Sequence, residues 1–430
     1  MRLESWALSD VGRVRTNNED GYLVDAELGL LAVADGMGGH AGGELASAQA
    51  LQSLQAHLSS RRELIKSFGG TPEEVEALRK ELEHGIQLAS SAVFDIGVED
   101  PSKRGLGTTL SAILAVGSKA IMGHVGDSRV YLVRSSDLHQ LSEDHSYLWE
   151  RMKAGLLTPD AVPRSKFSNV ITRAVGVTRT VEVDTLVFDV VPGDVLLLCS
   201  DGLHGMVPKE EDLLRLLLEG PIDQAPSRLV DTANQRGGRD NVSCIVSRVP
   251  GGADDPSTLD ILERVDVLKS IPLFRHLSYP ELVTVLHCTK MKTVREREYV
   301  IKEGSVAEEF FVILEGRVEV RKNDRALTRL GPRIHFGEMA LVDRSPRSAS
   351  VLALEPTRLL ALDRKALFRL VRTEPTLSSK LLWSFVQVLS HRLRLANDKL
   401  SQGAPDEPPG PTEDIGAPQS PVVPPHEEPS

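Results

Sequence analysis

Five aspartates sit where apolar stretches begin or end. Asp35 closes the run Leu30-Leu31-Ala32-Val33-Ala34 and is followed by Gly36, Met37, Gly38 and Gly39; Asp201-Gly202 closes Val195-Leu196-Leu197-Leu198-Cys199-Ser200 in the same way. Asp127 lies between two apolar stretches, Asp240-Asn241 opens the run 242–246, and Asp20 leads from a polar segment into residues 21–24. An unbroken apolar run reads as a strand buried on both faces, so each run delivers a carboxylate to a sheet edge. Antiparallel sheets can gather such edges along one rim, where the acids repel unless cations sit between them. Carboxylates without His or Cys suit hard ions, Mn2+ or Mg2+ rather than zinc. Two such ions roughly 3.5–4 Å apart share a water, lower its pKa and hold it for in-line attack on phosphorus. Arg15, just upstream of Asp20, is placed to clamp phosphate oxygens.

A second constellation lies far from the first. Phe336-Gly337-Glu338-Met339-Ala340-Leu341 combines a glycine with a helix start, and Arg347 follows in Ser345-Pro346-Arg347-Ser348-Ala349-Ser350. Free amides at a helix start and a facing arginine make a site for one phosphate, and a nearby carboxylate can accept from a ribose hydroxyl.

The elements that position these residues fall into two blocks. Residues 1–250 alternate apolar strands (21–24, 30–34, 108–116, 120–125, 129–133, 181–187, 194–199 and 242–249) with two long helices. One helix carries Leu51, Leu54 and Leu58 on one face, and the other, 72–94, carries Val75, Leu78, Leu82, Ile86, Ala89 and Val93. This predicts an α+β fold, with two antiparallel sheets stacked as a sandwich and helices outside. Residues 251–258 have the composition of a linker. Residues 259–400 begin with helices and continue as closely spaced strands broken by glycine turns, such as Phe310-Phe311-Val312-Ile313-Leu314 before Glu315-Gly316, which predicts a small β jelly-roll with helices. The last helix, 377–400, carries Leu382, Phe385, Leu389, Leu393 and Ala396 on one face. Residues 401–430 hold nine prolines and six acids and no Lys or Arg, and read as a disordered tail.

Composition narrows the function classes. A formal charge of −11, much of it in the tail, leaves no electrostatic footprint for nucleic acid. No stretch approaches a membrane span and the N-terminus lacks the apolar core of a signal peptide. Three cysteines without paired spacing suggest a reducing compartment, and the expected location is cytoplasmic.

Taken in order, Arg15 through Asp20, Asp35-Gly36-Met37-Gly38-Gly39, Gly107-Thr108-Thr109, Gly126-Asp127-Ser128-Arg129, Asp201-Gly202 and Asp240-Asn241 resemble the motifs of the bacterial type 2C metal-dependent serine/threonine protein phosphatases. The resemblance spans nearly all of residues 1–250. It implies that Asp35 bridges two metals with the Gly36 carbonyl as a further ligand, that Asp201 and Asp240 complete the first site, and that Asp20, with Glu19, serves the second. It assigns Asp127 to a third, weaker metal and Arg15 to the phosphate. Met37 stands where eukaryotic members carry a histidine held to protonate the leaving group, so the general acid is unassigned, with a metal-bound water as the default. His40 reads as a local packing or hydrogen-bonding residue, and 154–168 as the variable flap that touches substrate.

The second constellation resembles the phosphate-binding cassette of the cyclic nucleotide-binding domain family, over about residues 268–395, including Leu273-Phe274 and the Gly304 and Gly316 turns. It implies that Glu338 takes the ribose 2′-hydroxyl and Arg347 the cyclic phosphate, with amides of Gly337, Met339 and Ala340 assisting. Ser348 would meet a guanine amino group or the phosphate, which leaves cAMP and cGMP both open. The roles open to helix 377–400 are movement over the base, a homodimer contact, both, or core packing.

The expectation is therefore a protein-serine/threonine phosphatase, a phosphoric monoester hydrolase acting on phosphorylated proteins and regulated by a cyclic nucleotide. Two rivals differ in class. A nucleotide-sensing scaffold with an inactive phosphatase-like domain would have no need of Asp35, Asp201 and Asp240 together. A nucleotide-dependent transcription factor would need a basic helix-turn-helix after the sensor, where this chain has one helix and an acidic tail.

Overall fold

The computed structural model describes residues 3–38, 42–156, 170–251, 256–306, 308–339 and 345–402. His40, Ala340, most of the 154–168 segment and the tail from residue 403 therefore lie outside the described residues.

The first block runs β1 (Glu4–Asp10), β2 (Asp20–Asp25), β3 (Leu30–Met37), α1 (Gly42–Ser60), α2 (Arg62–Lys66), α3 (Pro72–Glu99), β4 (Gly107–Thr108), β5 (Leu110–Val116), β6 (Lys119–Val125), β7 (Arg129–Arg134), β8 (Asp137–Gln140), α4 (Tyr147–Lys153), β9 (Asp184–Asp189), β10 (Val195–Cys199), α5 (Asp201–His204), α6 (Glu210–Leu218), α7 (Ala225–Gln235) and β11 (Val242–Arg248). One antiparallel sheet has the order β2-β3-β5-β6-β9, with β4 paired to the end of β3; the other has the order β1-β11-β10-β7-β8. Strand β3 shows why they stack. Its Leu30, Ala32 and Ala34 pack under α1 and α3 with Leu54, Leu82 and Ile86, while Leu31 and Val33 face the second sheet's Leu196, Leu198 and Ile245. A strand between two apolar layers needs no polar alternation. Helices α6 and α7 close the outer face of the second sheet through Leu213, Leu217, Leu229 and Ala233. Thr71 and Glu74 form a capping box at the start of α3.

The second block runs α8 (Pro256–Ser270), α9 (Tyr279–His287), β12 (Thr289–Val294), β13 (Tyr299–Ile301), β14 (Glu309–Glu315), β15 (Val318–Lys322), β16 (Arg325–Leu330), β17 (His335–Phe336), β18 (Ser350–Ala353), β19 (Thr357–Asp363), α10 (Arg364–Thr373) and α11 (Pro375–Gln402). Two four-stranded antiparallel sheets, β12-β19-β14-β17 and β13-β18-β15-β16, enclose Ile301, Phe311, Val318 and Val351. Helices α8, α9, α10 and α11 cover the first of these sheets through Leu268, Val285, Leu367 and Leu381.

Several boundaries differ from expectation for physical reasons. The 108–116 stretch breaks at Thr109, whose N–H turns to the Asp35 carbonyl at 2.9 Å. The strand expected from residue 181 starts at Asp184, because the Gln87 side chain takes the Val181 N–H and carbonyl in place of a neighbouring strand. The segment read as a linker, 251–258, gives way to α8 at Pro256. Strand β1, unmarked by apolar alternation, completes the second sheet's edge, with Ser5 and Ser9 hydroxyls on Ser247 and Ser243 at 2.8 and 2.7 Å.

The two blocks are in contact. Val265 of α8 and Tyr279 and Val283 of α9 join the same buried cluster as the between-sheet residues of the first block.

Candidate active site

The register of the first sheet sets Asp20 directly opposite Asp35. Asp201 and Asp240 lie at the ends of β10 and β11 in the second sheet, and Asp127 lies in the turn that carries the chain from β6 to β7, from one sheet to the other. The five predicted acids thus meet at the rim where the two sheets converge.

Small polar groups hold this rim. Thr109 Oγ1 accepts the Asp35 N–H at 2.9 Å, and Thr108 Oγ1 donates to the Asp35 carbonyl at 2.9 Å. Ser200 Oγ donates to Asp20 Oδ2 at 2.7 Å and accepts from Ser243 N–H at 3.0 Å, which ties an acid of one sheet to strands of the other. Asn241 accepts from the Glu19 N–H at 2.8 Å and donates to the Val11 and Asn17 carbonyls at 2.9 and 2.8 Å. At Gly36 a Cβ would stand 2.0 Å from the Gly43 carbonyl oxygen, so no larger residue fits beside Asp35. His204, pushed down to about 3 by burial and the nearby Arg129 charge, donates from Nε2 to the Asp127 carbonyl at 3.0 Å. Arg129 forms a two-pronged pair with Asp144 at 2.8 and 2.7 Å.

Electrostatically the rim is crowded with acid. Burial, together with the charges of Asp20, Asp201 and Asp127, raises the Asp35 carboxyl well above the usual range. Asp20 is pushed up to about 7 by burial, against hydrogen bonds from Ser200 and Ser243 that favour its charge. Asp127 is pushed up to about 7 by burial and by Asp201 and Asp144. Burial and Asp240 raise Asp201, which shares a hydrogen bond with Asp35. Among the described residues no three His, Cys, Asp or Glu side chains stand in a ready metal-holding arrangement. Asp240 instead pairs with Arg15 at 2.8 Å.

The donor set nevertheless fits hard cations. Among the described residues Asp20 Oδ1 and Asp201 Oδ1 are buried without a hydrogen-bond partner, a costly condition for a carboxylate oxygen. A cation between the acids would satisfy both atoms and reverse the repulsion that raises these carboxyls.

In the second block Arg347 is buried beside a cavity of about 260 Å³ that it lines with Tyr299, Lys302, Ser305, Glu309 and Phe311. Its Nη1 and Nη2 donate to the Gly337 and Glu309 carbonyls at 3.1 and 2.5 Å, and its Nε is buried without a partner among the described residues. Gly337 has φ +80°, and a Cβ there would stand 2.8 Å from Arg347 Nη1. Glu338 does not line this cavity: it is buried at a second crevice with Met339, Leu273 and His335, closed by Phe385, Val388 and Leu389 of α11. Ser348 is exposed. The roles of Thr108, Thr109, Ser200 and Asn241 escaped sequence reading, although Thr108, Thr109 and Asn241 stand within the motifs quoted above.

Comparison with known proteins assigns each block to a family. Residues 13–231 match the family model "Protein phosphatase 2C", and residues 291–374 match "Cyclic nucleotide-binding domain". The protein phosphatase PhpP of Streptococcus pneumoniae is 34% identical over 244 residues, covering 56% of this chain and 95% of that protein. The serine/threonine phosphatase stp of Listeria monocytogenes is 36% identical over 242 residues, covering 55% and 92%. The crystal structure of the Mycobacterium tuberculosis serine/threonine phosphatase PstP/Ppp superposes with a TM-score of 0.52 at 33% identity, covering 58% of this chain and all of that one. A structure of the catalytic domain of PstP in complex with two manganese ions gives 0.51 at 34% identity, covering 58% and 99%. The chain belongs to the protein phosphatase 2C family and carries a cyclic nucleotide-binding domain toward its C-terminus.

Proposed function

We propose that this protein is a metal-dependent serine/threonine phosphoprotein phosphatase whose activity responds to a cyclic nucleotide bound by its C-terminal domain. The observation that carries the catalytic part is the pair of buried oxygens, Asp20 Oδ1 and Asp201 Oδ1, that lack a hydrogen-bond partner among the described residues, in carboxyls raised by burial and by neighbouring acids. In this reading Asp35 would serve two Mn2+ or Mg2+ sites, with the Gly36 carbonyl as a further ligand. Asp201 and Asp240 complete one site, Asp20 with Glu19 the other, and Asp127 serves a third. When bound, such ions supply a water of lowered pKa and neutralise phosphoryl oxygens. Arg15 binds and orients the phosphate, leaving its contact with Asp240. Ser200 and Asn241 keep the acids in register, and Thr109 holds the Asp35 backbone.

The regulatory part rests on Arg347. A buried guanidinium with an unpaired Nε beside a cavity favours an anion such as a cyclic phosphate. Glu338 is assigned to the ribose and the amides of Gly337, Met339 and Ala340 to the phosphate, with Ser348 at its edge. Because Glu338 and Met339 line one crevice with Phe385, Val388 and Leu389 of α11, a nucleotide seated there would act on that helix first. A preference of the nucleotide for one arrangement over another is what regulation requires.

The test is phosphate release from a phosphothreonine peptide by the full chain with Mn2+, beside an Asp35→Asn control. Activity that disappears on chelation and in the control supports the reading. A folded chain that binds nucleotide but releases no phosphate from several peptides would favour the scaffold alternative.

A further inference from the structure

The residues gathered around the Asp127 turn include one that neither the motifs nor the proposed metal sites use. His145 is buried and meets this turn twice: its N–H donates to the Gly126 carbonyl at 2.7 Å, and its Nδ1 accepts the Gly126 N–H at 3.0 Å. Gly126 needs such a clamp. Its φ is +112°, a conformation open to glycine, and a Cβ there would strike Thr109 Cγ2 at 2.5 Å.

The other side of the imidazole is equally fixed. With Nδ1 accepting, the ring proton sits on Nε2 and points to Asp184 Oδ2 at 3.0 Å. Arg173 Nη1 holds the second oxygen of Asp184 at 2.8 Å and lies 3.2 Å from His145 Nε2. Thr172 N–H donates to the His145 carbonyl at 2.8 Å. The ring thus has one tautomer and one orientation, imposed from β9 and from the chain at residues 172–173, and it passes that constraint to the residue before Asp127.

We infer that His145 is a positioning residue for Asp127: by clamping both backbone groups of Gly126, with Asp184 and Arg173 fixing its ring, it sets the place where the Asp127 carboxylate meets a cation. The inference rests on the proposed role of Asp127 in holding the weaker metal ion. An imidazole fixed on both sides is to this turn what an outer hydrogen-bond partner is to a metal ligand, and loss of such partners commonly weakens metal affinity about 10- to 100-fold.

The experiment uses the full chain and Mn2+ alone as the ligand, read by titration calorimetry, by exchange of the Gly126 amide proton and by the Mn2+ dependence of phosphopeptide hydrolysis. The variants are His145→Leu, His145→Asn and Asp184→Ala, with Asp127→Asn as reference. Asparagine places an oxygen near the Nδ1 position and can still accept from Gly126.

His145→Leu is expected to reproduce the weakened Mn2+ binding of Asp127→Asn, to raise the half-saturating Mn2+ concentration at least about tenfold, and to leave KM for the peptide within about twofold. His145→Asn restores Mn2+ binding to within about threefold, and Asp184→Ala, at a part-exposed site, shows an intermediate loss. If His145→Leu fails to fold, the Asn and Ala variants carry the test. The inference is overturned if Asp127→Asn weakens Mn2+ binding while Asp184→Ala and the His145 variants do not, or if Asn is no better than Leu. If Asp127→Asn itself changes nothing, the role given to Asp127 fails and the inference fails with it.

Discussion

Arg134 Nη1 donates to the Tyr279 hydroxyl at 2.6 Å, across the boundary between the phosphatase sandwich and the sensor. The same guanidinium is held by Asp194 at 2.9 and 2.5 Å and by the Asp189 carbonyl at 2.8 Å, and the pair with Asp194 is almost wholly buried. His139 stacks on the Tyr279 ring, with centroids 4.2 Å apart and planes 13° apart. On its other side α9 is tied to α11, where Lys380 donates to both Glu281 oxygens at 2.9 and 2.7 Å. Helix α9 is therefore fastened to the catalytic block and to the helix that closes over Glu338 and Met339.

Tyr279→Phe keeps the ring and removes the oxygen that Arg134 faces. It is expected to cost about 1–2 kcal/mol, because a buried donor loses its partner, and to lower the thermal midpoint. Nucleotide affinity should stay within about twofold while the nucleotide's effect on phosphatase rate shrinks. Calorimetry of nucleotide binding alongside rate measurements checks both. An unchanged rate response would mean that α9 does not carry it.

Acidity should loosen the same interface through His139. Burial pushes this imidazole down to about 4, with Lys269 and Arg134 also disfavouring charge and Asp137 favouring it; the stacked Tyr279 completes its surroundings. The unfolded or undocked chain takes up the proton near pH 6.5 and the docked chain only near 4. The docked state is thus most stable above pH 6.5 and loses stability as the pH falls from there toward 4. The thermal midpoint should fall less between pH 7 and 5 in His139→Gln than in the parent chain.

Ser200→Ala removes the hydroxyl that donates to Asp20 Oδ2 and accepts from Ser243. Mn2+ affinity measured by calorimetry should drop about 10- to 100-fold, with the peptide KM little changed at saturating Mn2+. A wild-type Mn2+ titration would remove Ser200 from the account.

A chain cut after residue 250 loses Val265, Tyr279 and Val283 from the between-sheet cluster. At the usual value for buried apolar side chains this costs the catalytic block on the order of 4 kcal/mol. Its denaturation midpoint should fall accordingly, which urea titration of both lengths would show.

The features legible in the sequence are those written in short stretches. The 30–34 run announces a strand buried on both faces, and Leu54, Leu58, Leu78, Leu82 and Ile86 are spaced for the helix faces they bury. The acids were legible because each ends or opens such a run. Strand β1 was not, since an edge strand pairing serine with serine shows no apolar alternation. Asp201-Gly202 reads as the close of an apolar run, yet Asp201 also opens α5, and the spacing of Leu213, Leu216 and Leu217 could have revealed α6. Ser200, Asn241 and His145 gain their roles only when topology brings together residues far apart in the chain. Arg134 and Tyr279, 145 positions apart, are beyond any local pattern. The separation of Glu338 from the Arg347 cavity likewise depends on where α11 lies.

The central claim joins a metal-dependent phosphatase to a nucleotide sensor in one chain. The most direct test is the initial rate of phosphate release from a phosphothreonine peptide by the full chain in Mn2+, without nucleotide and with cAMP or cGMP, repeated with Arg347→Ala. The expected result is a Mn2+-dependent rate that one nucleotide shifts in the parent chain and neither shifts in Arg347→Ala, with equal basal rates. A rate indifferent to both nucleotides, or a shift that survives in Arg347→Ala, would contradict it.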